Sequence, residues 1–440
     1  MALKGLDIFK LTPKTNCKEC GNPTCMAFAM KVAQGAIPIE KCPHMSEEAL
    51  ATLSEATAPP MKSLKVGTGA SEHTLGGETV LHRHEKTFVS ENLFAVSVSA
   101  DSFDEKLPEI EKIDYERIGE RMYVEAVNLE YTDKESYTQL VEKAAGKGRL
   151  LILDVKDAEA AEAALEICAS EKPILNGATP DNYAQFTEIA KKYGVALGIN
   201  APDIDALHDT AEAVEKLGYK ELVLDVTADT VKDTFANAVQ VRRAALKDGD
   251  RTFGYPSIVN LKRIAAGDAH KQTALATLFV LKYGSIIVME DMSYAQALPL
   301  YGLRQNIFTD PQKPMKVAPG IYPLNGADEN SICATTVDFA LTYFVVSGEM
   351  ERSGVPVNLL ISDAGGYSVL TAWAAGKFSA GSIAKFIKEY EIEDKIKNRT
   401  LIIPGKAAVL KGELEERLPE WNVVVAPNEA TNLVKFLKEL

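Results

Sequence analysis

Between residues 93 and 325 the chain alternates short apolar runs of strand type with stretches whose apolar positions recur at helical spacing. The strand-type runs are Leu93–Val98, Tyr123–Val127, Leu150–Asp154, Pro173–Asn176, Val195–Asn200, Glu221–Asp225, Phe253–Val259 and Ser285–Glu290. Ala158–Ser170 and Ile204–Leu217 are typical of the helical stretches. Eight such strands with helices between them, over roughly 230 residues, predict an α/β fold of the (β/α)8 or TIM-barrel kind. Asp154, Asn176, Asn200 and Asp225 stand at the ends of their strands. That is the rim where barrel enzymes do chemistry, and two carboxylates with two amides could bind a polar ring there. The same residue types also cap helices and start turns.

From 326 to 440 the alternation resumes. Val357–Asp363, Thr400–Gly405 and Trp421–Pro427 read as strands. Helices are predicted at Phe339–Met350, from Ser368, and over Ser382–Tyr390, Ala407–Arg417 and Glu429–Leu440. Short strands each followed by a helix predict an open parallel sheet, a Rossmann or flavodoxin-like α/β domain. Ligands bind such sheets beyond the carboxyl ends of the strands. Those ends are Asp363–Ser368, Pro404–Lys406 and Ala426–Glu429, with glycines that allow close backbone approach.

Residues 1–57 read as a small helical module, with one apolar helix after Cys25 ended by Gly35 and another started at Ser46. Residues 58–92 read as a mobile connector. Pro59-Pro60 breaks helix, glycines follow at 67, 69, 76 and 77, and Thr79–His84 is predicted as one strand of a hairpin, with His82 and His84 an inert surface pair.

Cysteine changes the picture most. Four of six cysteines fall at Cys17, Cys20, Cys25 and Cys42, while Cys168 and Cys333 stand alone as buried bystanders. Four thiolates in so short a segment point to one metal centre. Three close ligands and one remote ligand suit the corners of a [4Fe-4S] cubane; a zinc site and disulfides are the alternatives.

The charge of −14 and the pI near 5.1 argue against a general binder of nucleic acid or anionic membranes. No run of about eighteen apolar residues occurs, and Lys4, Asp7 and Lys10 interrupt the start, so neither a membrane span nor a signal peptide is expected. The expected location is cytoplasmic, where clustered cysteines favour a metal over disulfides.

These features together resemble one family, the large subunits of corrinoid/iron–sulfur proteins of the reductive acetyl-CoA pathway. The resemblance covers essentially the whole chain. It is carried by Asn16–Met30 with Cys42-Pro43, by Ala334–Tyr343, by Ser368–Ala372 and by Ile402–Gly412.

The resemblance implies a [4Fe-4S] cluster on Cys17, Cys20, Cys25 and Cys42, a central barrel, and a cobamide on the C-terminal domain. It implies corrinoid contacts from Thr336, Thr342, Gly366, Tyr367, Ser368, Val369, Leu370 and Glu429, and no catalytic residue in the strict sense. The implied function is a methyl carrier, a methyltransferase component whose Co(I) takes a methyl group from methyltetrahydrofolate and passes it to acetyl-CoA synthase. In that scheme the cluster returns Co(II) to Co(I). The implied partners are a small corrinoid/iron–sulfur subunit in a heterodimer, a methyltetrahydrofolate methyltransferase, acetyl-CoA synthase and a reductive activator.

Many corrinoid domains ligate cobalt through histidine, but the last histidine of this chain is His270. A C-terminal domain without imidazole ligates cobalt weakly, which makes Co(I) easier to reach. The alternative function is a pterin-dependent TIM-barrel methyltransferase that uses the rim residues, with the cluster as its electron input.

Overall fold

The computed structural model describes residues 5–33, 37, 39–46, 49–50, 60–309 and 315–440. Gly35 and residues 58 and 59 lie outside the described residues, as does most of the helix predicted from Ser46. Two compact units emerge. One comprises Met1–Tyr115 with Met122–Phe308, the other Glu116–Arg121 with Thr309–Leu440.

In the first unit, β1 (Ser63–Val66) and β2 (His73–Gly76) form an antiparallel hairpin. There follow β3 (Leu93–Val98), then β4 (Asp114–Arg117) and β5 (Glu120–Tyr123), whose residues Glu116–Arg121 count with the second unit, and then β6 (Ala126–Glu130), β7 (Leu150–Asp154), β8 (Ile174–Ala178), β9 (Ala196–Asn200), β10 (Leu222–Asp225), β11 (Ser257–Asn260) and β12 (Ile286–Met289). Strands β3 and β6 to β12 close into an eight-stranded parallel barrel. They are buried on both faces, which is why the sequence reads as nearly continuous apolar runs. Helices follow the strands, and Asp133, Asp157, Asp203, Thr230 and Asp268 cap five of them by accepting a backbone N–H three residues on.

The connector reading needs correction. Thr79–His84 forms no strand; His82 and His84 lie at a turn with their rings stacked 5.5 Å apart. The hairpin is β1–β2, and it is no loose tether. Leu64, Val66 and Leu75 join Leu93, Ile152, Val223 and Ile286 in one buried cluster that fills the barrel lumen. The backbone N–H of Lys62 also donates to Gly254 at 2.7 Å, and that of Gly67 to Lys172 at 2.8 Å. The β4–β5 hairpin was not foreseen either, because its alternation of polar and half-buried residues carries no apolar run. It takes Tyr123 out of the barrel strand predicted there.

The second unit holds β13 (Gly320–Leu324), β14 (Ile332–Val337), β15 (Val357–Ser362), β16 (Thr400–Ile403) and β17 (Asn422–Val425), in the order β13-β15-β14-β16-β17. All pairs are parallel except β13 with β15. Two strands were missed. β14, the centre of the sheet, reads Ile-Cys-Ala-Thr-Thr-Val, and its threonines hide it from an apolar count. β13 falls before the expected boundary at 325 and 326, yet its partner is β15. Apolar clusters cover both faces of the sheet. One contains Cys333, Leu360, Phe378 and Leu401, the other Ala334, Leu359, Ile402 and Leu433.

Candidate functional site: a thiol cluster and a switch-point cavity

Cys17, Cys20 and Cys25 lie on a loop that ends in the helix Cys25–Ala33. The loop turns through left-handed backbone at Lys14, Asn16, Lys18 and Gly21, with φ of 56°, 49°, 68° and 76°. Only Gly21 takes this conformation without strain. Thr24 Oγ1 accepts the N–H of Ala27 at 3.1 Å, and Asn16 Oδ1 accepts that of Cys25 at 2.8 Å. Two of the first-turn N–H groups are thereby satisfied.

All four thiols are free. Cys17 is exposed; Cys20, Cys25 and Cys42 are buried, Cys20 and Cys42 in one cluster with Phe28, Val32 and Ile39. Burial pushes the Cys42 thiol up, the His44 backbone N–H pulls it down, and charge on Cys20, Cys25 and Cys17 pushes it further up. The four sulfurs therefore share one electrostatic neighbourhood.

In the other unit, strand order reverses between β14 and β16. The chain leaves β14 for β15 on one side and returns to β16 on the other, and this is where such sheets open a crevice. A cavity of about 340 Å³ lies there, lined by the strand ends at Thr335, Thr336, Ile403, Pro404 and Gly405. Its walls come from Thr342 and Val345 on the helix Ala340–Ser353, from Ser368–Leu370, and from Asn428 and Glu429. Thr336 is fully buried and its hydroxyl has no protein partner. Lys406 Nζ and Glu429 Oε1 stand 3.7 Å apart at the opening. Leu341, Val345 and Leu370 line the cavity yet remain largely exposed, at 62%, 47% and 49%. Gly405 has no substitute here: a Cβ would meet the Ala426 carbonyl oxygen at 2.4 Å.

At the barrel mouth, period-two alternation from Ile152, Ile174 and Val223 aims Asp154, Asn176 and Asp225 into the lumen. None of the four rim residues caps a helix. Arg263 Nη1 meets Asp225 Oδ2 at 2.8 Å and Nη2 meets Asp154 Oδ1 at 3.5 Å. Asn176 Nδ2 donates to Asp225 Oδ2 at 3.4 Å, and Asn200 Nδ2 to the Asp225 carbonyl at 3.5 Å. Lys262 holds Glu130 at 2.7 Å. Burial pushes the Asp154 carboxyl up and Arg263 draws it back. Arg263 thus pairs with both rim carboxylates, and the two rim amides bond to Asp225.

A family model described as the CO dehydrogenase/acetyl-CoA synthase delta subunit matches residues 63–437, and a model for a candidate Fe-S cluster matches residues 13–44. The chain is 37% identical to the corrinoid/iron-sulfur protein large subunit of Moorella thermoacetica, across 100% of this chain and 99% of the relative. The chain belongs to the corrinoid/iron-sulfur protein large-subunit family. Acetyl-CoA decarbonylase/synthase complex subunits gamma from Methanothermobacter thermautotrophicus and Methanopyrus kandleri match at 31% and 34% identity. Those matches span 100% and 99% of this chain, and 99% and 98% of the relatives.

In this corrinoid/iron-sulfur protein large-subunit homologue, the segment matched by the Fe-S model contains all four predicted cysteines. Thr336, Thr342, Ser368, Val369, Leu370 and Glu429 are brought together around the cavity. Gly366 and Tyr367 do not line it. Gly366 turns its N–H to Asp338, and Tyr367 lies half-exposed under Lys377 Nζ, 4.6 Å from the ring centre. Sequence reasoning missed Thr335, Val345 and Asn428 as lining residues, and it missed Asp338. A helical count from Thr342 would have reached Val345.

Proposed function

We propose that this chain is a methyl carrier of the acetyl-CoA pathway, holding a [4Fe-4S] cluster on Cys17, Cys20, Cys25 and Cys42 and a cobamide on the unit that contains residues 309–440. The observation that carries the reading is the cavity at the β14/β16 switch point in a member of this family. It offers a buried, unpartnered hydroxyl inside and exposed apolar side chains outside.

Its volume suits the nucleotide arm of a cobamide, a ligand with one polar tail and one broad apolar ring. Thr336 and Ser368 offer hydroxyls to the arm, and Asn428 offers an amide. Leu341, Val345 and Leu370 offer the flat apolar rim on which a macrocycle lies. Bound there, a cobamide would supply the methyl-carrying chemistry in its Co(I) form, between methyltetrahydrofolate on a partner methyltransferase and acetyl-CoA synthase. Residues 271–440 contain no histidine, so this unit brings no imidazole to the metal.

The ligand set supports a cubane over zinc: three closely spaced thiolates and one remote thiolate suit the corners of a cubane. Cys17 is exposed, which gives the centre an edge open to an electron partner. The chain works in this reading as a cytoplasmic subunit beside a small corrinoid/iron–sulfur subunit, with a reductive activator feeding the cluster. Among the described residues no helix is long and apolar enough to cross a membrane.

Metal analysis and a visible spectrum of the complex purified without oxygen test the reading. Cobalt near one atom per complex, with iron and an iron–sulfur band, is the expected result. Absence of cobalt from intact complex refutes it.

A further inference from the structure

Asn22 sits between Cys20 and Cys25 and is only 4% exposed. Its Nδ2 donates to the Cys20 carbonyl at 3.1 Å and reaches Cys20 Sγ at 3.7 Å, within N–H···S range. Its Oδ1 is buried with no partner. A buried amide with an unpaired oxygen is a cost that packing does not explain, since an apolar side chain would fill the same space without it. The opposite amide orientation would set oxygen against a thiolate, acceptor against acceptor. Asn16 is a useful contrast: it too is an asparagine of this loop, but its side chain serves the Cys25 backbone N–H.

We propose that Asn22 tunes the reduction potential of the iron–sulfur centre by donating its amide N–H to the Cys20 thiolate. The inference rests on the cluster reading above. Reduction adds one electron to a centre whose negative charge is shared with its thiolates. A donor aimed at one of those sulfurs stabilises the more negative state more, and so raises the potential. Asn22 and Cys20 are both buried, so no solvent hydrogen bond replaces the amide when it is removed. Asn22 therefore makes the centre easier to recharge from an external reductant, at some loss of driving force toward its acceptor.

The test is an anaerobic redox titration of the full chain in its complex, followed by the EPR signal of the reduced cluster and by iron content. In Asn22→Leu the ratio of reduced to oxidised centre at fixed potential should fall about tenfold, equivalent to a downward shift of about 59 mV for one electron. Iron content should stay at the wild-type level. Asn22→Gln, which keeps an amide donor, should restore much of the wild-type potential. Asn16→Ala should lower iron occupancy but leave the potential of the loaded fraction unmoved. If Asn22→Leu loses iron, Asn22→Val provides the second variant: it removes the donor without adding charge, and the potential of its loaded fraction must also fall. A loaded variant that lacks the amide donor, Asn22→Leu or Asn22→Val, with an unmoved potential overturns this inference alone. A wild-type complex without iron overturns the cluster reading and this inference together.

Discussion

The carboxylate of Asp338 accepts the backbone N–H of Gly366 at 2.9 Å, and with the same oxygen that of Ala364 at 3.0 Å. Asp338 is fully buried just past the end of β14, and the two amides belong to the loop that follows β15. One side chain therefore shapes the turn that leads into Ser368–Leu370, a wall of the cavity. Lys316 Nζ lies 3.7 Å from the other carboxylate oxygen and 3.8 Å from Asp363.

Asp338→Ala should lower the stability of the unit by about 3 kcal/mol, as two charge-assisted hydrogen bonds are lost and two amides are left unpaired. Asp338→Asn keeps one acceptor oxygen and should lose less. Denaturant unfolding gives the order, and cobalt content of the purified complex should follow it while iron stays constant.

Gly405→Ala should reduce cobalt retention without loss of iron. The added methyl would press on the Ala426 carbonyl oxygen and on residues 427 and 428, forcing apart the strand-end loops that frame the cavity. Overpacking of this kind costs about 1–3 kcal/mol. Equal loss of iron and cobalt would point to general misfolding instead.

Arg263→Ala should destabilise the barrel by about 3–5 kcal/mol, because it leaves Asp225 charged and buried without its partner. Adding Asp225→Asn should recover much of that loss. A thermal melt of the two variants checks this, and methyl transfer at a permissive temperature should be little affected by the double change. Strong loss of transfer at full stability would favour a chemical role for the mouth.

Cys20→Ala should convert or remove the cluster, leaving methyl transfer from pre-reduced cobalt largely intact and abolishing electron-driven reactivation. Single-turnover and reductive-activation assays on one preparation separate the two.

Cys168 and Cys333 should resist alkylation in the native protein. Both are fully buried, and burial pushes each thiol up to about 12. Iron chelation should expose Cys17, Cys20, Cys25 and Cys42 to iodoacetamide at pH 8 while these two stay unlabelled. Mass spectrometry of the peptides reads this directly.

The barrel was legible because each of its strands is buried on both faces and is marked locally by an apolar run. The thiol cluster was legible for a similar reason, as its four cysteines lie within 26 residues of one another. β14 was not legible. Thr335 and Thr336 break its apolar run, and its place at the sheet centre depends on pairing with β15 and β16. The connector misled because glycine and proline signal turns, while the packing of Leu64 and Leu75 into the lumen depends on a closed barrel to receive them.

The sequence by itself determined the eightfold barrel alternation, the clustering of four cysteines between residues 17 and 42 and the lack of histidine after His270. These are properties of neighbouring residues or of simple counts. Tertiary structure alone decided that Arg263 pairs with Asp154 and Asp225 and that Asp338 holds a loop 26 and 28 residues away. It alone decided that the lining of the cavity is drawn from separate stretches between residues 334 and 433. Contacts across such distances depend on which strands become neighbours, and no local pattern of apolar and polar residues encodes that choice.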